Sequence, residues 1–196
     1  MQLRRFCCHE QTARKWIKFL TIRIAALKAE EIFWPYDEEW GDLVFITSHD
    51  SIKFGLNEPT HATLHKDKRY FDRKGGKAGD TYEIGLHLWE IQIVWLNGPF
   101  PAATGDRSIF VNGGMSDAIP DSKKAIGDRI YTSLDKVAIH NSLDNDDVRV
   151  FKWQARARQE TINTRFKNFD ILKTRFRHGI ARHDRFFTAV AVIISS

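Results

Sequence analysis

A chain of 196 residues, 42% hydrophobic and 28% charged, closes one sizeable core and leaves little for a second. It contains no 18-residue apolar run, which excludes a membrane-spanning helix, and its only cysteines, Cys7 and Cys8, are adjacent and close no loop, which points to a reducing compartment. The net charge of +5 is unevenly placed: Val148–Arg185 holds eleven Lys/Arg against three acids, so that segment is +8 and the remainder −3, and a basic C-terminal third suits a polyanion.

Arg4 and Arg5 precede no apolar signal core, so no secretory signal is read. Gln11–Ile32 has helical spacing: Trp16, Phe19, Leu20, Ile24 and Leu27 recur on it, cations fill its other faces, and Pro35 ends it. Residues 1–40 are therefore expected as an N-terminal helical segment, packing on or joining the domain at 41–196. Leu43–Phe54 begins as an apolar run and turns polar at Ser48-His49-Asp50, the pattern of a buried central strand carrying a site. Asn57–Gly79 is polar and basic and reads as a loop. Tyr82–Glu90 and Ile91–Asn97 read as a β-hairpin, broken by Asn97-Gly98-Pro99 and Pro101. Asp106–Val111 begins a short helix with Asp106 as its N-cap and Gly113-Gly114 as its stop. Lys123–Tyr131 reads as a strand delivering Asp128 at its end.

Asp144–Asp147 is an acidic turn leading into Val150–Leu172, one amphipathic helix. Phe151, Ala155, Ile162, Phe166, Phe169 and Leu172 share one side of it. Glu160 lies opposite, with Arg156, Asn163 and Lys167 beside it; a solvated face would give no more than Arg156–Glu160 and Glu160–Asn163 neighbours. Phe186–Ile194 is a last apolar helix. This order of elements is that of an α/β mixed sheet flanked by helices.

Asp50 on the first strand, Asp128 at the end of a later one and Glu160 on the long helix meet if the strands are neighbours and the helix crosses them. Hard cations such as Mg²⁺ or Mn²⁺ take carboxylate oxygens, and two such ions drive phosphodiester cleavage. Spacing alone does not single out this triple among 25 acids. Other patterns carry less. His61/His65 and His178/His183 are expected at the surface or on phosphates. Gly75-Gly76 lacks the following Lys-Ser/Thr of a P-loop. Ser48, His49 and Asp50 are consecutive and face opposite ways, so they form no triad.

The runs YEIGLHLWEIQIVWLNGPFPAATGD (82–106), KKAIGDRIY (123–131) and RARQETINTRFKNFDILKTRFRHGIARHDRFFTAVAVI (156–193) resemble the DDE superfamily endonucleases, the Harbinger-like transposases and their relatives. The resemblance implies a ribonuclease H-like fold and an Asp-Asp-Glu triad holding two divalent ions, Mg²⁺ or Mn²⁺. By position the triad is Asp50, Asp128 and Glu160, as catalytic and metal-holding residues. Asp106 matches a further family acid and is assigned no metal. Double-stranded DNA is the implied partner, met by Arg156, Lys167, Lys173, Arg175 and Arg177. A separate DNA-binding protein and a homodimer are family expectations, as is a nuclear location in a eukaryotic cell and otherwise an intracellular one. Members often carry an upstream helical DNA-binding domain, of which residues 1–40 would be the remnant or linker.

Two departures stand out. The family commonly has Gly after the first Asp and two residues after the second, where this chain has Ser51 and Ile130, and each Gly allows tight backbone near the metals. They favour the alternative of a catalytically decayed, transposon-derived DNA- or protein-binding protein. A third reading, an unrelated α/β scaffold with a solvated basic helix, requires the three acids to lie far apart.

Overall fold

The computed structural model describes residues 8–35, 37–57, 67–90, 92–178 and 182–196. Six strands form one mixed sheet: β1 (Phe45–Gly55), β2 (Phe71–Asp72), β3 (Lys77–His87), β4 (Ile93–Pro101), β5 (Lys124–Ile126) and β6 (Val137–Ala138). β1 is central. It runs antiparallel to β3 on one side, with Asp50 opposite Ile84, and parallel to β5 on the other. β4 lies outside β3, β6 lies outside β5, and β2 adds a short rung at the start of β3. The expected mixed α/β sheet is present.

Every residue of β3 from Ala78 to Leu86 is buried, so both faces of the sheet are covered. Helices α5 (Asp146–Asn168) and α7 (His183–Ser195) cover one face, where Ile52, Phe54, Tyr82 and Ile84 meet Ile162, Phe166 and Phe187. Phe166 and Phe187 stack at 4.9 Å between centroids, and burial of each ring contributes roughly 1.5–3 kcal/mol. Short helices α3 (Asp106–Asn112) and α4 (Met115–Ala118) cover the other face, where Phe110 and Met115 meet Ile46 and Tyr131. Helices α1 (Glu10–Ala26) and α2 (Lys28–Glu31) pack against α7, leaving Trp16 and Leu20 of α1 exposed.

Several boundaries differ from those expected. The first helix is interrupted at Leu27 rather than continuous to Ile32. The long helix starts earlier, because Asn145 caps it by accepting from Val148 N–H at 2.9 Å. It ends at Phe169, whose extended backbone separates it from α6 (Asp170–Lys173). Of the expected stripe, Ala155, Ile162 and Phe166 are buried on α5 and Leu172 on α6, whereas Phe151 and Phe169 are half-buried. The connection 57–79 contains β2 and the first residues of β3; His61 and His65 lie outside the described residues. β4 runs through Asn97-Gly98-Pro99 to Pro101 instead of breaking there. It is an edge strand, where proline forfeits no ladder bond, and its register shifts between the rungs at Thr81 and Glu83. Gly98 fits at that shift because it adopts φ +131° and a Cβ there would lie 2.8 Å from the Tyr82 ring. β5 is three residues long and stops at Ile126, so Asp128 stands beyond the strand rather than ending it.

Candidate functional site

The parallel pairing of β1 with β5 stops at Ser48 opposite Ile126. Asp50 and Asp128 each stand two residues past that rung, where the carboxyl ends of parallel strands separate and leave a crevice. Helix α5 crosses there. A cleft of about 70 Å³ results, and Asp50, Asp128 and Glu160 all line it, together with Arg156 and Gln159. Three acids widely separated in the chain thus share one cleft.

Gln159 seats the helix. It is buried, accepts from Ser48 Oγ at 2.9 Å and donates to the Ile84 carbonyl at 3.4 Å, which ties α5 to both β1 and β3. One turn on, Asn163 Nδ2 donates to Asp50 Oδ2 at 2.8 Å. The Ser51 N–H donates to the other oxygen of Asp50 at 2.8 Å. Arg156 turns to Asp128, with 3.3 Å between Nη2 and Oδ1, rather than to Glu160 as helix spacing alone suggests. Asp128 also accepts from Arg129 N–H at 2.7 Å, capping the short turn Arg129–Tyr131. Glu160 is exposed.

Burial pushes the Asp50 carboxyl up to about 6, and the Asp106 and Asp128 carboxylates add to the rise against the pull of Ser51 and Asn163. Asp106 therefore belongs to the electrostatics of this site. It is not the N-cap expected of it: Gly105 holds that position and Asp106 lies in the first turn of α3. Its own carboxyl is raised, chiefly by burial.

A second polar layer lies on the α3 face of the sheet. Glu83 accepts from Trp95 Nε1 at 2.7 Å, and its other oxygen lies 3.5 Å from His49 Nε2. Burial lowers His49 to about 3 and raises Glu83 to about 7. The imidazole is therefore neutral at physiological pH, and the contact is no ion pair.

Of the cations expected on DNA, Arg156 lines the cleft, whereas Lys167, Lys173, Arg175 and Arg177 are exposed outside its lining. His178 is exposed as expected. His183 is not: it is buried, with Nδ1 2.9 Å from the Tyr82 hydroxyl. Ser51 and Ile130 sit without backbone strain, since among the described residues Ser133 alone of the non-glycines has positive φ.

The donors suit a hard divalent cation: two aspartates, a glutamate, and the buried Asn163 Oδ1, which has no hydrogen-bond partner. Among the described residues, however, no group of three or more His, Cys, Asp or Glu side chains is drawn together closely enough to hold an ion. Asp128 faces Arg156 and Asp50 faces Asn163, so the three carboxylates share the cleft without converging on a point.

A central strand in an antiparallel meander, extended by parallel strands and crossed by a helix bearing an acid, defines a ribonuclease H-like nuclease domain. The chain belongs to the DDE superfamily endonucleases: that family matches residues 49–194, from beside Asp50 into α7. No curated protein and no solved structure matches the chain. At the family level it is a transposase-like nuclease domain, and none of its described helices is long and apolar enough to cross a membrane.

Proposed function

We propose that the chain is a divalent-metal-dependent DNA endonuclease of the transposase type, with Asp50, Asp128 and Glu160 holding two Mg²⁺ or Mn²⁺ ions. The observation that carries this reading is the single cleft lined by all three carboxylates. Such ions, when bound, activate water and stabilise the leaving oxygen of a phosphodiester. The protein supplies the rest. Asn163 and the Ser51 N–H fix both oxygens of Asp50. Asp128, its side chain about half exposed, would hold a cation once turned from Arg156, and Arg156 would then be free for a backbone phosphate. Lys167, Lys173, Arg175 and Arg177 meet phosphates of the flanking duplex, giving salt-dependent affinity with little base reading. A homodimer, a separate DNA-binding partner and a nuclear location accompany this reading as family expectations.

The test is nicking of supercoiled plasmid in Mg²⁺ or Mn²⁺. Wild type nicks; Asp50→Asn, Asp128→Asn and Glu160→Gln do not. Equal nicking by wild type and Glu160→Gln sinks the assignment. One observation favours a second reading, a catalytically decayed DNA- or protein-binding descendant: Asp128 is occupied by Arg156 and the acids do not converge. That reading requires DNA binding to survive triple alanine replacement of the acids and calorimetry to record no metal uptake.

A further inference from the structure

Beside the acid cleft lies a larger groove of about 970 Å³ that the chemistry above does not use. It runs between the β2–β3 hairpin, the loop from β4 to α3 and the turn at Ile130, and its lining reaches Ser51 and Asp106, the neighbours of Asp50. Lys53, Lys68, Arg73 and Lys74 line it, as do Phe71 and Ile130, which are 44% and 53% exposed.

The hairpin is built to present its cations. Phe71 pairs with Ala78 and Asp72 with Lys77, leaving Arg73–Gly76 as the tip. Asp72 accepts from the N–H groups of Lys74 at 3.3 Å and Gly75 at 2.9 Å, and Gly76 completes the turn at φ +63°. Asp72 also takes Lys53 at 3.2 Å, so the hairpin's own negative charge is engaged within the protein. Among the described residues Lys68, Arg73 and Lys74 form no ion pair. Three available cations and an exposed aromatic ring thus line one wall of a groove whose lining ends at Ser51, the residue whose N–H holds Asp50.

Cations that follow a backbone, interleaved with an exposed ring, are the elements of single-strand recognition. Base faces are hidden in a duplex, so a ring standing in a cationic groove finds a partner only where bases are unstacked. We infer that this groove binds a single-stranded stretch of nucleic acid, with phosphates on Lys68, Arg73 and Lys74 and a base on Phe71, and leads that strand to the Asp50 cleft. The destination rests on the nuclease reading; the binding does not, because it needs no metal.

The experiment measures fluorescence anisotropy of a labelled single-stranded oligonucleotide and of the matching duplex with the full chain in EDTA, across a salt series. Wild type is expected to bind the single strand the more tightly. Lys68→Glu/Arg73→Glu/Lys74→Glu is expected to weaken single-strand binding at least tenfold and to flatten the log–log salt slope by about 2. Phe71→Ala is expected to weaken it roughly tenfold with the slope unchanged. Circular dichroism confirms that the variants are folded, and Phe71→Leu, which keeps the apolar bulk but not the ring, is expected to behave as Phe71→Ala. Wild-type affinity in the triple variant overturns the inference, as does equal affinity of wild type for duplex and single strand with Phe71→Ala silent. Displacement by polyglutamate as effective as by an oligonucleotide of equal charge also overturns it, since the groove would then be a polyanion surface without nucleic-acid selectivity. If wild type nicks plasmid while the triple variant binds and nicks as wild type does, the groove falls and the nuclease stands. Groove-dependent binding without any nicking has the reverse meaning: the groove stands and the nuclease falls.

Discussion

Asn163 Nδ2 donates to Asp50 Oδ2 at 2.8 Å and joins the middle of α5 to the centre of β1. This bond favours the ionised carboxylate and works against the burial that raises Asp50 to about 6. Asn163→Ala therefore raises Asp50 further, by about one pH unit if the charge-assisted bond is worth ~1.5 kcal/mol. The acid limb of the pH–rate profile for nicking should move up by that amount, with activity recovering above pH 8. A limb that stays in place means the bond does not set the carboxyl's ionisation.

Arg156 and Asp128 lie 3.3 Å apart, each about half exposed. A pair so open to water contributes at most about 1 kcal/mol to stability, so Arg156→Gln should leave the melting temperature nearly unchanged. It removes the cation competing for Asp128, so Mn²⁺ should bind more tightly by calorimetry while duplex DNA binds less tightly. Weaker Mn²⁺ binding in the variant would show that Arg156 does not compete for the carboxylate.

The raised Asp50 carboxyl also makes a statement about stability. The ordinary value of 3.8 applies unfolded and about 6 folded. The stabilising contribution is therefore complete below pH 3.8 and lost as pH rises through about 6. In EDTA at pH 7.5, Asp50→Asn should be more stable than wild type by roughly 1–3 kcal/mol, with no difference near pH 3.5. Mn²⁺ at a hundredfold excess over its dissociation constant should add about 2.7 kcal/mol to wild type and nothing to the variant. Thermal unfolding that responds to Mn²⁺ equally in both proteins rules out Asp50 as a ligand.

Glu83 gives a second pH dependence, outside the cleft. Its carboxyl moves from 4.5 to about 7 by burial, so its contribution is full below pH 4.5 and lost as pH rises through about 7. Glu83→Gln keeps an acceptor for Trp95 and cannot ionise. The variant should match wild type in urea unfolding near pH 4 and exceed it by up to roughly 3 kcal/mol at pH 8.5. A constant difference across that range excludes the titration.

Much of this site was legible in the chain. The change from apolar to polar at Ser48-His49-Asp50 marked the central strand, and the aromatic stripe of α5 fixed which side of the helix Glu160 occupies. Gln159 also left a signal, falling between Ala155 and Ile162 on the buried stripe at helical spacing, where an uncharged polar residue implies a buried partner. Asn163 follows one turn later. The two-residue strands β2 and β6 left none, because two residues carry no periodicity. Glu83 was hidden differently: beside Tyr82 and Ile84 it reads as the outward member of an alternating strand, and only the helices on both faces bury it. The continuation of β4 through its prolines depended on that strand having no outer neighbour, a tertiary fact that local turn chemistry does not contain.

Arg156, Gln159, Glu160 and Asn163 lie within about two turns of one helix whose ends are set by Asn145 and Phe169. Each residue added or removed between Asn145 and Arg156 would rotate this whole set by about 100°, swinging Glu160 away from the crevice and lifting Phe166 out of the core in the same motion. Insertions ahead of Asn145 carry no such penalty. Spacing along α5 is therefore constrained more tightly than side-chain identity on its outer surface, and a one-residue insertion or deletion there would disable the site more completely than most single substitutions.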